Sequence, residues 1–103
     1  MEIEFDNRKL RDLYEKGTSK KYRLDKRVLE KFFMRVQQLE ASVSIYDLRN
    51  TPSLNFERIK RTKNLFSIRL DKAYRLEFRI EFKDKKRTKG KIIVKEISKH
   101  YGE

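Results

Sequence analysis

Tyr74-Arg75-Leu76-Glu77-Phe78-Arg79-Ile80-Glu81-Phe82 alternates apolar and charged side chains over nine residues without a break. Successive side chains of a strand point to opposite faces, so the segment predicts a strand with one face in a core and the other in water. Just before it, Phe66, Ile68 and Leu70 repeat the same period, and Asp71-Lys72-Ala73 separates the two runs. A three-residue loop pairs Leu70 with Tyr74, Ile68 with Leu76 and Phe66 with Phe78, and all six point inward. A two-residue loop sets Arg69 opposite Tyr74 and mixes the faces, so the side-chain period rejects it.

The same register sets Arg69 opposite Arg75 and Ser67 opposite Glu77 on the outer face. Like charges directly opposite one another destabilise a sheet by a few tenths of a kcal/mol to ~1 kcal/mol. A phosphate between the two guanidiniums relieves that repulsion, because each fork can donate two hydrogen bonds to phosphate oxygens. The plainer alternative is diagonal neutralisation by Glu77 or Glu81.

Working outward, Lys83 to Gly90 is a polar loop, and Lys91-Ile92-Ile93-Val94-Lys95-Glu96-Ile97 reads as a strand. Its first half is apolar on both sides, as in an interior strand covered by a helix. Leu54, Phe56 and Ile59 suggest a further strand, after a connection from Ser42 to Ser53 that has room for a helical turn at Ile45 to Leu48. Ile3 and Phe5 alternate with acids as a short first strand. Asp6 or Asn7 can cap a helix whose apolar stripe is Leu10, Leu13 and Tyr14 and which Gly17 stops. A longer helix is expected from about Leu24 to Ala41, capped by Asp25 or Ser19, with Leu24, Val28, Leu29, Phe32, Phe33, Val36 and Leu39 on one broad face. The order β-α-α-β-β-β-β, with the two helices on one face of a mainly antiparallel twisted sheet, makes the expected fold class α+β.

The chain has 103 residues, enough for one domain spanning 1–103. It carries 28 Lys and Arg against 16 Asp and Glu, a net charge of +12, yet 12% of its residues are aromatic. Disordered, solvating chains are poor in aromatics, so this charge belongs to a folded protein. With no cysteine, a disulfide framework and a thiolate metal site are excluded. No apolar run approaches a membrane span, and the acidic, alternating start is unlike a signal peptide, so a cytoplasmic location is expected. Residues 1–20 balance to zero, and the excess lies after them, most of it in three clusters: Lys20 to Lys31, Arg58 to Lys63 and Lys83 to Lys91. An acidic partner is implied, with nucleic acid the leading class and an anionic membrane or acidic protein the next.

The element order, the segment Phe56-Glu57-Arg58-Ile59-Lys60, the run Phe66-Ser67-Ile68-Arg69-Leu70, the strand Tyr74 to Phe78 and the C-terminal Glu96-Ile97-Ser98-Lys99-His100-Tyr101 resemble HigB toxins of the RelE/ParE superfamily. The resemblance implies a RelE-like fold and a toxin of a type II toxin-antitoxin system that cuts mRNA in the ribosomal A site without metal or other cofactor. It also implies a monomeric toxin that assembles with a helix-turn-helix antitoxin of the HigA type. Arg69 and Arg75 match the family's positions that hold the scissile phosphate. Lys60 matches a lysine that in some members follows a histidine by three residues, and Glu57 stands in that histidine's place. Where some members end in Asp-Tyr-His, this chain has Lys99-His100-Tyr101.

Metal-free cleavage of RNA needs a base for the 2′ proton, an acid for the leaving 5′ oxygen and cations for the phosphorane charge. Arg69, Arg75 and Lys60 suit the last role. Histidine, with an ordinary pKa of ~6.5, can act as acid or base at neutral pH, which makes His100 a candidate for either. Glu57 is a candidate base or a salt-bridge partner of Arg58 or Lys60, and Tyr101 a proton donor or a stacking platform. Arg58, Arg61, Lys63, Lys85, Lys86, Arg87 and Lys99 are expected to touch RNA, chiefly ribosomal. Two other readings stand beside this one: a ParE-like toxin that binds DNA gyrase and cuts nothing, and a basic structural RNA-binding protein.

Overall fold

Two side-chain oxygens start the long helices where short polar residues precede the apolar stripes. The computed structural model describes residues 1–19 and 21–99. After strand β1 (Ile3–Phe5), Asn7 caps helix α1 (Arg8–Lys16) by accepting from the Leu10 amide at 2.9 Å. Gly17 ends it at φ 76°, left-handed backbone that glycine adopts without a steric penalty, and its amide closes on the Leu13 carbonyl at 2.9 Å. Asp25 caps helix α2 (Lys26–Ala41) through the Val28 amide at 2.9 Å, so the helix begins two residues after Leu24. The helical turn expected near Ile45 is helix α3 (Ile45–Arg49), held by a reciprocal capping box between Ser44 and Asp47.

The strand expected through Leu54, Phe56 and Ile59 is corrected. Leu54 closes a 3₁₀ turn (Pro52–Leu54), and the strand that follows, β2, is only Glu57–Arg58. Pro52 has no amide to donate and a fixed φ suited to a turn's first position, while Asn55 is left-handed at φ 47°. Together they keep the chain from extending until Phe56. Strands β3 (Leu65–Arg69), β4 (Tyr74–Phe82) and β5 (Gly90–Lys99) complete a five-stranded sheet in the order β1-β5-β4-β3-β2. β1 runs parallel to β5 and the other neighbours are antiparallel, which makes the sheet mixed and β5 interior.

The β3–β4 hairpin has the register that its side chains demand: Phe66 opposite Phe78, Ile68 opposite Leu76, Ser67 opposite Glu77 and Arg69 opposite Arg75. Asp71 shapes the loop by accepting from the amides of Ala73 and Tyr74, both at 2.8 Å. A bulge at Lys95 was not foreseen: Phe78 faces Val94 and Glu77 faces Glu96, leaving Lys95 unpaired in the ladder. Val94 and Ile97 are three residues apart and would lie on opposite faces of a regular strand. The extra residue returns Ile97 to the core, where both are buried.

One cluster joins Leu10, Leu13, Val28, Phe32, Val36 and Leu39 of the helices to Phe66, Ile68, Leu76, Phe78, Ile80, Ile92 and Val94 of the sheet. The hydrophobic faces of helices and sheet therefore cover each other, and the sheet's other face remains open. Where β5 begins, a Cβ on Gly90 would press into the Glu81 carbonyl and the Phe82 Cα, both backbone atoms that cannot swing aside. Gly90→Ala is expected to cost roughly 1–3 kcal/mol, the range for overpacking a rigid site, read as a lower urea midpoint with unchanged slope.

Candidate functional site

The open face carries the charged half of the β4 alternation, with Ser67 and Arg69 of β3 beside it. Arg75 donates from Nη1 to the Glu57 carboxylate at 2.8 Å and to the Ser67 hydroxyl at 3.0 Å. Its side chain is only 15% exposed, so the fork is held in a fixed place against the sheet. Glu57 reaches it because Glu57 stands opposite Ser67 across β2 and β3, one diagonal step from Arg75. The partner of Arg75 is thus Glu57, in place of the Glu77 or Glu81 expected as diagonal neutraliser. Glu57 likewise pairs with neither Arg58 nor Lys60.

Charge on this face is divided. Towards β1, Glu4 and Glu81 both pair with Lys91, at 3.1 and 3.7 Å, and Arg79 pairs with Glu81 at 3.2 Å. The hydrogen bond that Lys91 donates to Glu4 raises the Lys91 pKa above its ordinary value. Towards β3, Arg69 is exposed, and among the described residues its side chain donates only to the Asp71 carbonyl, at 3.3 Å. No carboxylate pairs with it among the described residues. Two guanidiniums therefore stand opposite each other at the Arg69–Arg75 end, with Glu57 paired to Arg75 and Glu77 two residues along β4 on the same face.

Arg35 was missed. It is 6% exposed in α2 and has no carboxylate partner among the described residues. It donates to the Arg69 carbonyl at 2.9 Å, to the Gln38 side chain at 2.8 Å and to the Ser53 carbonyl at 3.4 Å. Burial pulls its pKa below the ordinary arginine value. The guanidinium ties α2 to the end of β3 and to the turn that leads into β2, the two strands that bring Arg69, Ser67 and Glu57 together. A signal existed: Arg35 lies three residues after Phe32 and four before Leu39, inside the apolar stripe.

The remaining expected residues fall in several places. Lys60 and Arg61 are exposed in the β2–β3 turn, and no hydrogen bond or ion pair joins Lys60 to the Glu57–Arg75 pair among the described residues. Arg58, Lys63, Lys86 and Arg87 meet in a groove of about 740 Å³ on the other side of β2. Two of the three basic clusters thus converge, and Lys85 is exposed in the turn that presents the second of them. Lys99 stands apart at the far end of β5, over the ring of Tyr74. His100 and Tyr101 lie outside the described residues.

The β4–β5 turn that holds Lys86 and Arg87 is built on Asp84. Its carboxylate accepts from the Thr88 hydroxyl at 2.5 Å and from the amides of Thr88 and Lys89 at 2.9 and 3.0 Å. These bonds, the Thr88 hydroxyl first, pull its pKa down to about 2. A depressed carboxyl pKa contributes stability that is complete above the unfolded-state value, near 3.9, and lost as pH falls through the folded-state value. The Thr88 and Lys89 amide resonances of the folded protein should therefore hold steady from neutral pH to about 3 and shift with a midpoint near 2. A midpoint near 4 would show that the clamp is absent.

A family model described as the RelE-like toxin of the type II toxin-antitoxin system HigB matches residues 3–89 of the chain. That span includes Glu57, Ser67, Arg69, Arg75 and the groove, and it stops before Lys99, His100 and Tyr101. No curated protein matches the chain.

Proposed function

The chain belongs to the HigB-like family of RelE-like toxins of type II toxin-antitoxin systems, and from this membership we propose that it is a ribosome-dependent endoribonuclease. As a member it has a toxin's role, and its family implies a cognate antitoxin. The finer reading is that it cuts mRNA in the A site, that its antitoxin is of the helix-turn-helix HigA type, and that residues 1–103 work as one toxin domain in the cytoplasm. No helix among the described residues is long and apolar enough to cross a membrane.

One observation carries the reading: a fixed guanidinium, a second guanidinium directly across the strand pair and a carboxylate at 2.8 Å share one open face. In the reaction the 2′-oxygen forms a bond to the adjacent phosphorus and the bond from phosphorus to the 5′-oxygen breaks. The products are a 2′,3′-cyclic phosphate and a 5′-hydroxyl. Glu57 takes the 2′ proton, and Arg69 and Arg75 donate to the phosphate oxygens where charge builds up. Arg75 thereby holds the base and the phosphate at once. His100 or Tyr101 supplies the proton for the leaving 5′-oxygen. A site with so few groups gains from a substrate held by another body, an effect worth up to ~7–11 kcal/mol of barrier; on this reading that body is the ribosome. Lys60 and the other exposed basic turn residues dock on ribosomal RNA.

The test is controlled expression followed by mapping of the 5′ ends of cellular mRNA. Cuts confined to translated codons and in frame are expected. Blocked replication without cuts would point to the gyrase-binding alternative, and harmless expression would contradict a toxin.

A further inference from the structure

The groove behind β2 has a composition that docking alone does not require. Arg49, Arg58, Lys63, Lys86 and Arg87 line it with Tyr46, and no carboxylate is among the lining residues. None of the five cations forms an ion pair among the described residues. Acids in the neighbouring segments are committed elsewhere: Asp84 to Thr88 and Lys89, and Asp47 to the amides of Val43 and Ser44. Two guanidiniums are held in place by neutral groups. Arg87 lies 4.5 Å from the centre of the Phe82 ring and donates to the Lys63 carbonyl at 2.7 Å, and Arg58 donates to the Thr62 carbonyl at 3.1 Å. Arg87 does this from left-handed backbone, φ 58°, a conformation that costs an arginine energy. Tyr46 is 53% exposed at the rim. Fixed cations without counter-charges, beside an exposed aromatic ring, match the chemistry of single-stranded nucleic acid, which offers phosphates to the first and flat bases to the second.

The position of the groove names the strand. Glu57 and Arg58 are consecutive in β2, so their side chains leave on opposite faces: Glu57 towards Arg75, Arg58 towards the groove. β2 is the edge of the sheet and two residues long. We propose that the RNA strand held at Arg69 and Arg75 folds over this edge, and that its flanking nucleotides seat in the groove. The assignment rests on the nuclease reading and adds to it a second subsite on the same substrate, with Arg49 and Tyr46 as contacts that the sequence did not single out.

The probe is single-stranded RNA carrying 2′-O-methyl groups throughout, which blocks attack by the 2′-oxygen, as a trimer and as a nonamer. Binding to the purified full chain is read by fluorescence anisotropy across a salt series. The wild type should bind the nonamer at least tenfold more tightly than the trimer. Arg58→Gln combined with Arg87→Asn should erase that gain and leave trimer binding unchanged. The salt slope for the nonamer should fall by roughly 1.4, from about 0.7 per phosphate contact on a single strand. Asparagine is chosen because it tolerates left-handed backbone, and an unchanged thermal melt confirms the fold; Tyr46→Ala, at an exposed side chain, provides a second variant that should also lower the gain.

Absence of length dependence in the wild type, or equal loss on both lengths in the variants, would overturn the proposal. So would a polyglutamate peptide that binds in a manner sensitive to Arg58 and Arg87 while RNA length makes no difference, which would give the groove to an acidic protein. Mapping of cut messages separates the two readings. Cuts without length dependence reject the groove and keep the nuclease, and length dependence without cuts does the reverse.

Discussion

Arg75→Ala should abolish toxicity and lower cleavage of ribosome-bound message by about 10²–10³-fold, the loss typical of removing one donor to a transition-state oxyanion. On the proposed reading the residue has two tasks: it would donate towards the phosphate, and it holds Glu57 at 2.8 Å and Ser67 at 3.0 Å. Its removal leaves Arg69 as the one guanidinium of the pair and lets the carboxylate swing. Stability should change little, because Glu57 is half exposed and ion pairs of that kind contribute ~0–1 kcal/mol. Arg75→Lys is the informative companion. It keeps the charge but not the planar fork, so activity should lie between the wild type and alanine. A folded, fully toxic Arg75→Ala would remove the phosphate-holding role of this face.

Arg35→Ala should give the largest loss of stability among single polar substitutions, about 2–4 kcal/mol. Hydrogen bonds to a charged group contribute ~1.5–3 kcal/mol, and two carbonyls in part-buried bonds lose their donor. For a domain of this size that corresponds to a fall in Tm of roughly 10–25 °C. The freed carbonyls are those of Arg69 and Ser53, so the damage falls on the frame of the site. Arg35→Met, which restores apolar volume but no donor, should recover only part of the loss. A change below about 0.5 kcal/mol in urea unfolding would mean that water replaces the guanidinium at no cost.

These two arginines show what local pattern can and cannot reveal. The β3–β4 pairing was legible because register there is a matter of parity. Six apolar side chains must share a face, and a three-residue loop achieves that where a two-residue loop does not. The caps of the two long helices were legible because Asn7 and Asp25, each one of two candidates, precede apolar stripes. β2 was misplaced because Phe56 and Leu54 satisfy a strand's period while Pro52 and Asn55 impose a turn. The bulge at Lys95 leaves only an odd spacing between Val94 and Ile97. In the site, the opposed arginines followed from register alone, whereas the Glu57–Arg75 pair depends on a third strand joining the sheet. Arg35 was missed because two of its three partners are backbone carbonyls, which leave no trace in side-chain chemistry, and its place inside the apolar stripe was the one signal. The convergence of Arg58 and Lys63 with Lys86 and Arg87 likewise needed the two turns to meet in space.

The most direct measurement uses purified ribosomes programmed with a message whose A-site codon carries, in turn, ribose and 2′-deoxyribose at the nucleotide before the cut. The account predicts rapid cleavage of the ribose message to a 2′,3′-cyclic phosphate and a 5′-hydroxyl, only when the ribosome is present. It predicts no cleavage of the deoxy message, and for Arg75→Ala the same products at a rate lower by about two to three orders of magnitude. Equal cleavage of both messages, or none of either by the wild-type chain, would contradict it.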